Sequence, residues 1–151
     1  MEHEGFIREC HALATSAGKK GNHTFGAALV HDGEIIATAE NTVNTDQDNF
    51  RHAEYNLVMQ SKDVFSEAVL AESTLYTSTA PCYLCTATIL TAGISKIVYS
   101  VSYEAFAKLI PGGYKYISCD EFVERLGTQT TVIGPILEEE GLEVFRYWES
   151  G

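Results

Sequence analysis

This chain is short of positive charge. Of its 151 residues, 10 are Lys or Arg against 21 Asp or Glu, a formal net charge of −11. Tight binding to a phosphate backbone needs clustered cations. The C-terminal segment offers the reverse, Glu138, Glu139, Glu140, Glu143 and Glu149 against Arg146 alone. A nucleic-acid partner is therefore not expected, and a small, near-neutral substrate suits the balance better. Long hydrophobic runs are also missing. No apolar stretch approaches the ~20 residues that span a bilayer, so no membrane role is expected. The N-terminus, MEHEGFIREC, lacks the basic start and apolar centre of a signal peptide, which makes the cytoplasm the expected compartment. Linkers, internal repeats and low-complexity tracts are absent too. With 45% hydrophobic residues, a chain of this length can fill one core without staples. Residues 1–151 read as a single domain.

What remains is an apolar pattern that alternates helix with strand. Phe6, Ile7, Cys10, Leu13, Ala14 and Ala17 share one side at helical spacing, which predicts a first helix over 3–17. Residues 16–24 (SAGKKGNHT) read as a loop. FGAALV (25–30) and EIIATA (34–39) flank the turn HDG and predict a hairpin. A polar loop over 41–49 leads to a helix beginning near His52. STLYTST (73–79) is a strand. PCYLCTATILTAG (81–93) has the Pro-first, Gly-last asymmetry of a helix. KIVYSV (96–101) and TTVIG (130–134) are further strands. Helices fall over 103–110, stopped by Pro-Gly-Gly, over 117–127, and over 136–150, the last weakened by Gly141. This order predicts a three-layer α/β domain with helices on both faces of a largely parallel sheet.

The chemistry concentrates in two short stretches. RHAEYNL (51–57) places His52 two residues before Glu54 at a helix start, and TAPCYLCTA (79–87) places Cys82 and Cys85 three apart in the first turn of another helix. Thiols at i and i+3 face one way, and a helix N-terminus favours thiolate, the form that binds a metal. One helix and one strand separate His52 from Cys82, so the two helix starts can lie together at one edge of the sheet. His52, Cys82 and Cys85 then supply three ligands to one zinc, leaving a fourth position for water as catalytic sites do. Glu54 can serve there as a proton carrier. His and Glu two apart on a regular helix point roughly opposite ways, so both reach one site only if the helix begins at His52. Cys10 and Cys119 read as ordinary buried residues. His3, His11, His23 and His31 have no ligand spacing to the cysteines.

H-x-E followed by P-C-x-x-C, here His52-Ala53-Glu54 and Pro81-Cys82-Tyr83-Leu84-Cys85, is the signature of zinc deaminases. From about residue 6 to 148 the chain resembles the cytidine deaminase-like superfamily, nearest to the branch of guanine deaminase, cytosine deaminase and tRNA adenosine deaminase. The resemblance implies an α/β/α sandwich around a five-stranded mixed sheet, one zinc (Zn2+) per chain on His52, Cys82 and Cys85, and Glu54 as the proton shuttle. It also implies a base-edge contact from Asn41, backbone N–H groups at Ala53 and Cys82 near the reacting centre, and Phe25 as a wall of the base site. Tyr147 or Trp148 would cover the site or serve the interface of an implied homodimer. Two positions depart from the pattern. Ala80 stands where many relatives have Glu, and His23-Thr24 where Pro is frequent.

The implied activity is hydrolytic deamination of a small amino-substituted nucleobase, guanine or cytosine type, or a related amino-heterocycle. Wobble-adenosine deamination in tRNA and nucleoside deamination are the alternatives. A zinc that only holds the fold needs no Glu54, and a thiol-redox pair needs neither His52 nor Glu54.

Overall fold

A computed structural model describes residues 2–110, 112 and 117–148. The first helix, α1 (Glu2–Lys19), runs past its expected end because Gly21, at φ +87°, closes it later than the sequence suggests. Strands β1 (Gly26–His31) and β2 (Glu34–Glu40) form the expected hairpin. Its turn places Asp32 at φ +52° and Gly33 at φ +78°, the left-handed pair that a two-residue hairpin turn requires. A short helix, α2 (Val43–Asp46), sits in the polar loop. Then follow α3 (Ala53–Ser61), α4 (Glu67–Ala71), β3 (Thr74–Thr79), α5 (Tyr83–Thr91), β4 (Lys96–Val101), α6 (Tyr103–Leu109), α7 (Cys119–Leu126), β5 (Thr131–Ile133) and α8 (Glu138–Leu142).

The five strands lie in the order β2-β1-β3-β4-β5. β1 is antiparallel to both neighbours, whereas β3, β4 and β5 run parallel. The sheet is therefore mixed, as the resemblance implies, with β1 alone running against the other four strands, so the largely parallel sheet that the alternation of elements suggests is present in those four. The physical reason is the route taken by α3. It carries the chain from β2 across β1 to β3, so β2 and β3 do point the same way, and the hairpin partner β1 fills the gap between them.

Alternation along β1 feeds two cores. Ala27 and Leu29 face α3 and α5, packing with Ala53, Leu57, Leu75, Ile89 and Ile97. Ala28 and Val30 face α1, packing with Ile7, Cys10, Tyr76 and Val98. A third cluster of Ala14, Val101, Phe106, Val144 and Phe145 closes the end where β4 stops.

The expected long C-terminal helix is two pieces, α8 and a 3-10 turn over Glu143–Tyr147. Gly141 explains the break: a β-carbon there would meet Ser100 Oγ at 2.6 Å and Val101 Cγ2 at 2.7 Å, so the backbone presses directly on β4. The stop expected at Pro111 and Gly113, and residues 149–150 of the last expected helix, lie outside the described residues. No helix among the described residues is long and apolar enough to cross a membrane.

Candidate metal centre and active site

Two helices start beside one another at one end of the sheet, and the expected ligands sit at those starts. His52 is the N-cap of α3, in extended backbone at φ −67° and ψ 157°. Cys82 is the N-cap of α5, also extended, at φ −72° and ψ 176°. An N-cap residue has left the helical course, so its side chain escapes the facing rule of a regular helix. This meets the requirement set by the spacing: α3 begins directly after His52, and His52 and Glu54 lie close enough for their charges to interact. Cys85 follows in the first turn of α5 and is buried.

His52 Nδ1 lies 3.5 Å from Cys82 Sγ and 3.4 Å from Cys85 Sγ. The three donor atoms all lie within 4.8 Å of one another. A tetrahedral zinc with one nitrogen and two sulfur ligands sets N···S edges of about 3.6 Å, so the residues present fit that metal. Among the described residues no other set of three His, Cys, Asp or Glu side chains is gathered in this way.

The electrostatics also call for a cation. Cys82 is pulled down to about 4, first by its hydrogen bond with Cys85 and then, against the cost of burial, by His52. Cys85 is pushed well up by the same bond and by burial. His52 is raised, chiefly through its hydrogen bond to Cys82. Glu54 is buried and pushed up to about 7, by desolvation first and by the Cys82 charge second. Burial and mutual repulsion thus oppose ionising both thiols and the carboxyl together beside a single imidazole, and a divalent ion would offset that cost.

The other expected site residues have the following places in the fold. Ala53 is the buried first residue of α3, whose N–H has no partner within the helix. Asn41 follows β2 and is 1% exposed. Its N–H donates to the Phe25 carbonyl (3.0 Å), and its Oδ1 accepts from Val43 N–H (3.0 Å). The second bond fixes the amide orientation and leaves Nδ2 buried without a partner. The next residue, Thr42, donates to the Arg51 carbonyl (2.9 Å), which ties this loop to the residue before His52.

Phe25 meets Trp148 edge-on at 5.6 Å and Phe106 at 5.6 Å. Trp148 also stacks on His23, with centroids 4.5 Å apart and planes 18° apart. His23 is lowered mainly by burial and then by the charge of His52. Tyr147 instead lies under Lys19 of α1, 5.4 Å from its amine, so of the two aromatic candidates Trp148 is the one that meets Phe25. Cys10 and Cys119 are core residues.

Three residues beyond those expected touch the expected ones. Thr77 on β3 donates to Glu54 Oε2 at 3.0 Å. Its signal was the period-2 alternation of LYTST, which puts Thr77 on the same sheet face as Leu75. His23 and Phe106 needed the tertiary fold, because the loop after α1 and the helix after β4 meet only there.

Residues 1–101 match the family model described as the cytidine and deoxycytidylate deaminase zinc-binding region. The probable cytosine deaminase of Schizosaccharomyces pombe is 29% identical over 152 residues, spanning 97% of this chain and 92% of that protein. The tRNA-specific adenosine deaminase of Bacillus subtilis is 30% identical over 143 residues, spanning 91% of this chain and 82% of that protein. A solved structure of guanine deaminase from Bacillus subtilis superposes with a TM-score of 0.67 at 26% identity, covering 100% of this chain and 98% of that one. Both metal motifs fall inside the matched stretch, and their donor atoms converge as a zinc requires: this chain belongs to the cytidine and deoxycytidylate deaminase zinc-binding family.

Proposed function

We propose that this protein hydrolytically deaminates a small amino-substituted nucleobase, of guanine or cytosine type, or a related amino-heterocycle. The observation that carries this reading is the buried Glu54 carboxyl beside three convergent ligands. His52, Cys82 and Cys85 would hold the zinc, which when bound supplies an activated water and a Lewis acid. Glu54 is the catalytic residue: its carboxyl carries one proton of the attacking water to the ring nitrogen, and the second, released as the C=O forms, to the departing amine. The net change replaces the exocyclic C–NH2 of the ring by C=O and consumes one water as ammonia leaves.

The remaining residues bind and orient. Asn41 presents Nδ2–H to a ring acceptor, because its Oδ1 is already engaged by Val43 N–H. The Ala53 N–H adds a donor near the reacting carbon. Phe25 and Trp148 give the flat ring apolar faces and keep bulk water away.

A second reading, deamination of adenosine in tRNA, draws support from the likeness to the Bacillus subtilis tRNA-specific enzyme. The net charge of −11 opposes it. An ammonia-release screen of the zinc-loaded protein over free bases, nucleosides and amino-heterocycles tests the first reading, with turnover of a free base expected. Filter binding to tRNA at physiological salt tests the second. Retention of tRNA together with inertness toward every small compound would reverse the preference. The same reading includes a homodimer, with exposed Phe50 and Tyr83 beside the two helix starts as apolar surface for it.

A further inference from the structure

We infer that Thr77 is a positioning residue for Glu54: its hydroxyl holds one carboxyl oxygen in place and reserves the other for the reaction. Thr77 is fully buried on the face of β3 that packs against α3 and α5. It sits opposite Ala27 of β1, between Leu75 and Thr79 along its own strand. A hydroxyl in such apolar company is costly unless it is hydrogen-bonded. Here it has two acceptors, Glu54 Oε2 at 3.0 Å and the Thr79 carbonyl at 3.1 Å.

The first bond crosses from the sheet to the second residue of α3, joining the proton carrier to β3 in the interior of the sheet. The second gives the hydroxyl an alternative acceptor, so it keeps its own position when it is not donating to Oε2. No other side chain among the described residues hydrogen-bonds Glu54. Without Thr77 only a backbone hydrogen bond restrains the carboxyl, and turning about its last bond moves Oε1 by an ångström or more. Displacements of that size in a reacting group cost on the order of 100-fold in rate.

The experiment compares zinc-loaded wild type with Thr77→Val, which keeps the shape and loses the hydroxyl, and with Thr77→Ser, which keeps the hydroxyl. Thr77→Cys, a smaller side chain with a weak donor, replaces the Val variant if that one fails to fold. Crystal structures read the position directly. Wild type and Thr77→Ser are expected to show Oε2 bonded to residue 77. Thr77→Val is expected to show a turned or split Glu54 carboxyl with all three metal ligands unmoved.

The kinetic arm rests on the proposed deaminase activity. There kcat is expected to fall roughly 10- to 100-fold in Thr77→Val with KM within about twofold, and to stay within about threefold of wild type in Thr77→Ser. A Glu54 carboxyl that keeps its place in Thr77→Val, or a Ser variant as slow as the Val variant, overturns the inference. If wild type releases ammonia from no compound, the functional reading fails while the crystallographic arm still decides the role of Thr77.

Discussion

Removing the metal exposes the energetic tension at the site, and Glu54→Gln measures it. In the metal-free protein the Glu54 carboxyl is shifted from its ordinary 4.5 up to about 7, because burial and the Cys82 charge both disfavour ionisation. The folded state therefore holds this proton more tightly than the unfolded chain does. The stability it contributes is fully present below pH 4.5 and is lost as pH rises through 7. Each tenfold difference in proton affinity between the two states is worth about 1.4 kcal/mol, so the whole loss is about 3 kcal/mol. Cys82, at about 4, is thiolate in the folded protein throughout this window, and its contribution is common to both proteins.

The assay is urea unfolding of metal-stripped wild type and Glu54→Gln at pH 5 and pH 8, under reducing conditions. The Gln variant has no such titration. Its stability relative to wild type is expected to increase by about 2–3 kcal/mol between the two pH values, since a small part of the loss already falls below pH 5. An identical gap at both would refute the burial and charge argument for Glu54.

Other expectations follow from the same geometry. His52→Ala removes one of three ligands, and zinc content measured by atomic absorption is expected to fall from one per chain to almost none. Gly141→Ala gains about 1 kcal/mol of helix propensity but drives a methyl into Ser100 Oγ, which is already held by His11 and by the Leu137 carbonyl. Overpacking of this kind costs about 1–3 kcal/mol, so a lower urea midpoint is expected, and a raised midpoint would show that β4 yields. If Trp148 walls the base as proposed, Trp148→Ala loses about 1 kcal/mol of ring contact. Steady-state kinetics on the best substrate are expected to show KM raised roughly fivefold with kcat changed less.

The site was more legible in the sequence than the sheet was. Metal ligation depends on side-chain type and spacing, and both are local: His52, Cys82 and Cys85 fall at two helix starts, where chain geometry brings them together. Even the awkward interval between His52 and Glu54 was informative, since it demanded a helix beginning at His52, and α3 has His52 as its N-cap. Strand order is not local. That β1 inserts between β2 and β3 follows from where the α3 crossover lands, and no pattern within FGAALV or STLYTST records it. The C-terminal break likewise depends on how closely Gly141 approaches β4. The ring contacts of Trp148 with Phe25, Phe106 and His23 also needed the tertiary fold. Thr77 lies between these cases: its face follows from alternation, but its partner is set by the packing of α3 on the sheet.

The role of Glu54 is tested most directly by measuring ammonia release and zinc content together in wild type and Glu54→Gln. A carboxyl that carries the proton, and does not ligate the metal, predicts one zinc per chain in both proteins and a rate on the accepted base lower by 100-fold or more, on the order of a general acid–base contribution, in the variant. Turnover near wild type in a zinc-loaded Glu54→Gln would contradict it.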